Sequence, residues 1–477
     1  MMFHPGMVRL LLCSLLVTQN NQLWAEPPTP AEVSSALRKA ATYYHSQVAV
    51  HGGYVYHYTE DLSQRWGEGL AHPHQIWIQP PGTPTVGMAF LAAYKATGDT
   101  FYLNAAQDAA DALVFGQLRS GGWSNAADLH WVKPGQRPIP GAQRKDGNSS
   151  LDDGQTQSAI KYLVMADQAL DFKDPAIHQS AKTALNALLA AQFPNGGFPQ
   201  VWRAPVPKKP VLKASFPKYD WRTDGRIKNY WDYYTLNDNV CGYVADTLVT
   251  AHQVYRDDKY KVALGRLGDF LLLAQMPEPQ PAWAQQYNYE MHPMWARKFE
   301  PAAIAGDESQ EVIETLMKIH AVTRNPKYLE PIPRALAYLE RSLLPNGQLA
   351  RFYELKTNRP LYMKRVSKKV YQLTFDDSKL PSHYGWKWKS RVHHLRAKYN
   401  ARLRLGVAYP RSPNVPASEV ARILASLDSQ GRWLVPYNGE KLVGQPKFPL
   451  GSRILSSQVF SQNITSLAEY LEAFHAP

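Results

Sequence analysis

The sequence predicts a mainly α-helical fold, an (α/α) toroid of repeated helical hairpins with long irregular loops and short strands on one face. The first observation is a recurring turn: Gly52-Gly53-Tyr54, Gly121-Gly122-Trp123, Gly196-Gly197-Phe198 and the degenerate Asn346-Gly347-Gln348. Counted from 53 to 122, 122 to 197 and 197 to 347, the intervals are 69, 75 and 150 residues. The last interval is two periods, and residues 272–277 (LLAQMP) resemble 189–194 (LAAQFP) where the missing turn would fall. Such repetition indicates stacked supersecondary units.

The second observation is that apolar residues recur at helical spacing in paired segments. The first helix is expected from Pro30 to about Val48, because Thr29 can cap it and Glu32 completes a capping box. Four hairpins follow, with short turns at 97–99, 172–174, 256–258 and 324–326. The connections at the other end are long, at 120–150, 196–232 and 276–305. Because long loops on a rigid frame commonly carry function, we expect the functional surface on the long-loop face.

Three regions are expected along the chain. Residues 1–25 resemble a secretion signal, with Arg9, an apolar stretch over 10–17 and a cleavage site after Ala25. That stretch is too short to span a bilayer, which takes about 20 residues. The toroid is predicted over residues 26–365, and residues 366–477 are expected to form a basic segment with helices packed on the same domain. We therefore expect an exported monomer, periplasmic or extracellular, with no membrane span.

The charge balance points to an anionic partner. The chain has 53 Lys and Arg against 40 Asp and Glu, a net charge of +13, and 12% aromatic residues. A basic, aromatic surface suits a polyanion whose units offer flat faces, and both nucleic acid and acidic polysaccharide fit. Predicted export favours the polysaccharide over nucleic acid. The basic stretch 387–404 is accordingly interpreted as a solvated or substrate-facing helix face.

Acidic and amide side chains recur where hairpins begin. Asp152 and Asp153 precede one hairpin, and Asn237 and Asp238 stand at the same place in the next. Such residues can cap a helix, and their oxygens can equally bind a hard cation such as Ca²⁺. Equivalent positions in adjacent repeats face one central cleft, so the sequence predicts that the two groups meet there.

Arginines form the opposing set of candidates. Arg297, Arg351, Arg359 and Arg365 follow one another in the second half of the chain. The planar guanidinium grips a carboxylate with two hydrogen bonds, so several arginines suit a polyuronate. The alternative for any one of them is a surface ion pair, for example with Glu300 or Glu354.

Several segments carry a resemblance to a known family, and they occur in the family's order. They are QIWIQPPGTP (75–84), LDDGQT (151–156), FPNGGFPQ (193–200), TLND (235–238), WAQQY (283–287), ARKFEP (296–301) and RFYE (351–354) followed by TNRP (357–360). Through them the chain resembles the pectate lyases of polysaccharide lyase family 10 over about residues 50–370. The segment 201–230 and the basic tail fall outside the resemblance.

The resemblance implies an (α/α) toroid that cleaves polygalacturonate (homogalacturonan, pectate) by Ca²⁺-dependent β-elimination. It implies that Asp238 helps to hold Ca²⁺, that Asp152 contacts the sugar and that Arg297 is the base. It also implies that Arg351 and Arg365 bind substrate carboxylates. Four further residues, Asp153 and Asn237 for the metal and Arg359 and Gln286 for substrate, are added by adjacency within the motifs.

An arginine base is chemically demanding, because the free guanidinium stays protonated above pH 12. We expect burial and neighbouring cations, Arg351, Arg365 and bound Ca²⁺, to lower the pKa of Arg297.

Two other functions fit parts of the sequence. An inverting glycoside hydrolase would pair Asp152 with Asp238, or either with Glu300, at a separation of about 6.5–9.5 Å. A non-catalytic uronate-binding protein would use Trp77, Trp123 and Trp283 as stacking platforms.

Overall fold

A computed structural model of the chain describes residues 26–139, 145–222, 227–368, 370–406, 415–439 and 448–475, and the predicted signal peptide lies outside them. The described residues form twelve α-helices and sixteen short strands, which confirms the mainly α prediction. The helices are α1 Pro30–Tyr43, α2 Thr83–Thr97, α3 Thr100–Gly116, α4 Gln155–Ala169, α5 Pro175–Ala190, α6 Val240–Tyr255, α7 Asp258–Ala274, α8 Gly306–Thr323, α9 Ile332–Arg341, α10 Val392–Leu405, α11 Ala417–Ala425 and α12 Ser457–His475.

The strands are two to eight residues long. They are β1 His57–Thr59, β2 Arg65–Trp66, β3 Gln75–Trp77, β4 Ala126–Asp128, β5 Ser149–Ser150, β6 Val201–Trp202, β7 Tyr234–Thr235, β8 Gln286–Tyr287, β9 Ile304–Ala305, β10 Gln348–Ala350, β11 Phe352–Tyr353, β12 Pro360–Ser367, β13 Val370–Thr374, β14 Lys387–Lys389, β15 Leu434–Pro436 and β16 Arg453–Ser456.

The short hairpin turns form where the sequence predicts them. In each turn an acidic or amide side chain accepts a hydrogen bond from a backbone N–H of the helical turn that follows, at Asp99, Asp174, Asp257 and Asn325. The capping box at Thr29 and Glu32 is also present. Helix α1 ends at Tyr43, and a π-helical turn continues it to Val48. Local capping therefore fixes where the second arm of each hairpin begins.

The first helices of successive hairpins pack against one another. Helices α2, α4, α6 and α8 follow in this order, α12 packs on α2, and α10 packs on α8. The approach of α2 and α4 is close: a Cβ on Gly87 would lie 2.2 Å from the ring of Tyr162. Buried alanines such as Ala106 and Ala109 permit the same close packing by α3. The arrangement is that of an (α/α) toroid, as predicted.

The recurring turn is confirmed, but its register at the degenerate copy was wrong by one residue. Gly196 adopts a left-handed backbone with φ +93°, and Gly347 does so with φ +76°. The N–H of each donates to the carbonyl three residues earlier, at Phe193 and Leu344. Gly347 is therefore equivalent to the first glycine of the pair, since that position adopts the left-handed conformation, which glycine reaches at low cost because it has no Cβ.

The short strands lie where the long loops meet the inner helices. Strands β3, β5, β7 and β9 each precede an inner helix, and each pairs antiparallel with a strand from a long loop or from the connection after α9. The N-terminal ends of α2, α4, α6 and α8 thus share one rim, the predicted long-loop face. Helix N-termini carry partial positive charge, so this rim favours anions.

Residues after 365 pack against the repeats. Strand β14 pairs with β10, β16 pairs with β1, and α12 packs on α1 and α2. Strand β12 runs across the expected domain boundary at 365, and that boundary stays a prediction. Within the described residues, no helix combines the length and apolarity needed to cross a membrane.

Candidate active site

Two equivalent turns at the rim present the acidic residues. Each follows a short strand and precedes an inner helix, and its central aspartate is left-handed: φ is +44° at Asp153 and +52° at Asp238. A left-handed backbone costs energy at a residue other than glycine, and such strain is concentrated at functional sites. The repeat makes Asp153 equivalent to Asp238 and Asp152 equivalent to Asn237, so the turns bring three carboxylates to one place.

Those carboxylates form a tight cluster. Oxygens of Asp152, Asp153 and Asp238 all lie within 4.8 Å of one another. An amide orients each carboxylate: Gln200 Nε2 donates to Asp152 at 2.5 Å, Gln79 Nε2 donates to Asp153 at 3.0 Å, and Asn237 Nδ2 donates to Asp238. These hydrogen bonds hold the cluster in place, with Asp153 exposed to solvent and the other two carboxylates half-buried.

Burial and mutual repulsion disfavour the charged forms of this cluster. The surrounding protein partly desolvates the Asp153 carboxylate and raises its pKa to about 6, although its surface is exposed, and the charges of Asp152 and Glu68 add to the effect. Burial likewise raises the pKa of Asp238, with Asp153 and Asp152 contributing. An all-oxygen donor set with excess negative charge fits a hard cation such as Ca²⁺, which would relieve this repulsion.

Arg297 lies next to the acidic cluster. Its Nη2 lies 3.7 Å from Asp238 Oδ2 and 2.7 Å from Oε1 of Glu300, a buried carboxylate. Burial acts to lower the pKa of Arg297, but the ion pair with Glu300 outweighs burial and the net pKa is raised. The expected lowering is therefore not found in this structure, because a carboxylate rather than a cation is the nearest charged neighbour.

Arg351 lies near the same site and is buried. Its Nη2 is 3.3 Å from Oε1 of Glu308, and its guanidinium carbon stands 4.3 Å from the ring centre of Tyr384 and 5.4 Å from that of Trp388. Burial raises the pKa of Glu308 to about 7, and Arg351 acts against that rise. The ion pair and the rings fix the guanidinium in one orientation.

The remaining predicted residues lie further from the cluster or are otherwise occupied, and their roles stay predictions. Gln286 is buried, and its Nε2 donates to Thr235 at 3.0 Å. The Asn237 amide is held between Asp238 and Gln285. Arg359 is exposed, with its guanidinium carbon 3.5 Å from the ring centre of Phe375, and Arg365 lies on the exposed end of β12.

Sequence reasoning did not assign Gln285, Glu300 and Tyr384 to a pectate lyase site. Glu300 Oε1 accepts from Tyr384 Oη at 2.7 Å and from Gln285 Nε2 at 3.2 Å. Gln285 and Glu300 stand within matching motifs, which was an available signal. Tyr384 lies in the tail, where the sequence offered none.

The geometry disfavours the Asp152–Asp238 pair of the hydrolase alternative and the tryptophan platforms of the binding alternative. The carboxyl oxygens of Asp152 and Asp238 lie within 4.8 Å, which is closer than the roughly 6.5 Å that an inverting hydrolase needs for its water. Trp77, Trp123 and Trp283 are buried, and the indole N–H groups of the last two donate to backbone carbonyls in the core. They are core residues rather than stacking platforms.

Comparison with known proteins identifies a family over the part of the chain that holds the acidic cluster and Arg297. Residues 117–346 match the family model of pectic acid lyases. No curated protein matches the chain.

Solved structures show weak similarity. A family 10 polysaccharide lyase from Cellvibrio cellulosa is 18% identical with a TM-score of 0.46, covering 68% of this chain and 98% of its own, and a mutant of it was solved with trigalacturonic acid. A D-mannose isomerase is 13% identical (TM-score 0.45, 94% and 100% covered). An α-mannanase from Bacteroides thetaiotaomicron is 11% identical (TM-score 0.44, 94% and 97% covered).

The family match confirms the resemblance found in the sequence motifs, five of which, at 151–156, 193–200, 235–238, 283–287 and 296–301, fall wholly inside the matched residues. The chain thus carries a pectic acid lyase region over residues 117–346, and the protein is a polysaccharide lyase.

Proposed function

We propose that this polysaccharide lyase cleaves α-1,4-polygalacturonate by Ca²⁺-assisted β-elimination, with Arg297 as the base. The observation that carries the proposal is the cluster of Asp152, Asp153 and Asp238, with the guanidinium of Arg297 only 3.7 Å from Asp238. Carboxylates that can hold a cation therefore lie next to a basic side chain.

The metal would be held by Asp152, Asp153 and Asp238, whose oxygens suit Ca²⁺. This proposal gives the metal Asp152, which the resemblance assigned to the sugar, in place of Asn237. When bound, Ca²⁺ neutralises the uronate carboxylate and stabilises the negative charge that develops beside it. The charge of the empty cluster would repel a polyuronate, so cation binding and substrate binding are expected to support each other.

Arg297 acts on the proton at C5, next to the uronate carboxylate. As the C5–H bond breaks, its electrons form the C4=C5 double bond, the C4–O4 bond breaks, and the departing O4 takes a proton from solvent. Arg351 is oriented by Glu308 and Tyr384 and contributes positive charge near this site. Such fixed charge, aimed where the transition state becomes anionic, is commonly the largest catalytic contribution.

The ion pair with Glu300 sets a requirement for Arg297. The guanidinium must lose a proton before it can accept one from C5, and Glu300 at 2.7 Å opposes that loss. We therefore propose that Arg297 becomes neutral only when bound cation offsets the surrounding carboxylates, and that turnover is fastest at alkaline pH.

We also propose that the protein is exported, on the basis of the signal-like residues 1–25. Secretion of the full chain from a suitable host, with the mature N-terminus sequenced, would test the export.

Digestion of polygalacturonate in ¹⁸O-labelled water tests the reaction type. Elimination inserts no oxygen from water and makes one new end unsaturated. Hydrolysis inserts one oxygen from water and leaves both new ends saturated. Because a free reducing end also exchanges its oxygen with water, products without an unsaturated end, rather than the label alone, would exclude the lyase mechanism.

A further inference from the structure

Tyr384 reaches the active site from outside the residues that match the family. The match ends at residue 346, and Tyr384 lies between β13 and β14. Strand β14 pairs with β10, and the Arg351 N–H donates to the carbonyl of Trp386 at 2.9 Å. The backbone around Tyr384 is thus attached to the segment that carries Arg351.

The hydroxyl of Tyr384 acts on the ion pair of the proposed base. Glu300 Oε1 accepts the Tyr384 hydroxyl at 2.7 Å and is also the oxygen that pairs with Arg297 Nη2 at 2.7 Å. A buried polar network whose members are all satisfied is held rigidly, so each donor to Glu300 Oε1 helps to fix the position of that oxygen. Loss of the hydroxyl would therefore leave Glu300 Oε1 less firmly placed against Arg297.

The ring of Tyr384 acts on a different group. It lies 4.3 Å from the guanidinium carbon of Arg351 and 4.7 Å from the ring centre of Phe299. A cation held over an aromatic face is attracted to it and cannot turn freely. The hydroxyl thus contacts Glu300, the ion-pair partner of Arg297, and the ring contacts Arg351, the arginine that the resemblance assigns to substrate binding.

We propose that Tyr384 is a positioning residue of the lyase: its hydroxyl holds Glu300 in register with Arg297, and its ring holds Arg351 for the substrate carboxylate. This inference rests on the proposed function. It assigns to the segment after β13 the completion of an active site whose other parts come from the helical repeats.

The two halves are separated by Tyr384→Phe and Tyr384→Leu, assayed on polygalacturonate with Ca²⁺. Tyr384→Phe keeps the ring, so kcat is expected to fall about tenfold with KM within about twofold of wild type. Tyr384→Leu also removes the ring, so KM is expected to rise about fivefold as well. Tyr371→Phe is the matched control, since Tyr371 contacts Phe299 but its hydroxyl pairs with His383, and it is expected to behave as wild type.

Binding of trigalacturonate in an Arg297→Ala background gives a readout without turnover. There Tyr384→Leu is expected to weaken binding about fivefold and Tyr384→Phe to leave it unchanged. Wild-type kcat in Tyr384→Phe, equal losses in Tyr371→Phe, or unchanged binding in Tyr384→Leu would each overturn the inference. Absence of unsaturated product from the wild-type protein would instead refute the proposed function, and the binding comparison would still decide the role of the ring.

Discussion

The acidic cluster should lower the stability of the metal-free protein, and Ca²⁺ binding at the cluster should raise the stability of the protein. Three carboxylates within 4.8 Å repel one another, and two full charges at that distance interact by about 3.5 kcal/mol at an effective dielectric constant of 20. Partial protonation and solvent reduce this, so we expect Asp238→Asn to stabilise the metal-free protein by about 1–2 kcal/mol. Its weaker ion pair with Arg297, at 3.7 Å, is lost, but Glu300 still pairs with that arginine.

The expected shifts in melting temperature follow from the chain length. With 477 residues, the unfolding entropy is about 1 kcal/mol per degree, so Asp238→Asn should raise the Tm without metal by about 1–2 °C. Ca²⁺ at about one hundred times its Kd stabilises the wild type by about 2.7 kcal/mol, or about 3 °C. Asp238→Asn should lose most of that response.

Differential scanning fluorimetry with Ca²⁺ or with chelator measures both effects. Asp307→Asn is the matched control, because Asp307 begins the next inner helix but pairs with Arg391 at 3.8 Å instead of joining the cluster. It should keep the Ca²⁺ response. A full Ca²⁺ response in Asp238→Asn, or a lower Tm for that variant in chelator, would refute the metal-site reasoning.

Three further predictions follow. The pKa of Asp153 is raised from 3.8 to about 6 in the folded state, so its contribution to the stability of the metal-free protein should decline as pH rises through about 4 to 6. The rise in Tm that Ca²⁺ induces should vanish below about pH 6, and fluorimetry across pH measures both effects. Gly196→Ala should lower the free energy of unfolding in urea by at least about 3 kcal/mol, since φ is +93° and the new Cβ would lie 1.8 Å from the Arg266 carbonyl. Gly98→Ala is the control: Gly98 is left-handed but unobstructed, so its substitution should cost about 1 kcal/mol. Arg297→Ala should lower kcat about 10³-fold and lower the Tm by about 3–5 °C, because the variant leaves the buried Glu300 carboxylate without its cation; kinetics and fluorimetry measure the two effects.

The sequence was sufficient for the features that depend on local chemistry. The caps at Asp99 and Asp257 and the left-handed Gly196 follow from residue types that favour those conformations. The meeting of Asp152 with Asp238 followed from the repeat, because equivalent positions in adjacent hairpins share one rim. These inferences need no knowledge of distant contacts.

The features that the sequence missed depend on long-range packing. Tyr384 lies 84 positions from Glu300, and neither periodicity nor a motif connects them. The pKa of Arg297 depends on which charges lie nearest in space; the sequence offered both neighbouring arginines and an ion pair with Glu300, and only the fold shows that Glu300 is the nearest. The tryptophans were misread because aromatic composition alone does not distinguish a buried ring from an exposed one.

Elimination produces an unsaturated uronate, and the ultraviolet absorbance of this product is a direct test of Ca²⁺-assisted elimination. Purified protein would be incubated with polygalacturonate, first with Ca²⁺ and then with excess chelator, with Arg297→Ala in parallel. We predict ultraviolet absorbance that rises with Ca²⁺, stops on chelation and is nearly lost in Arg297→Ala. New reducing ends without absorbance would contradict the account.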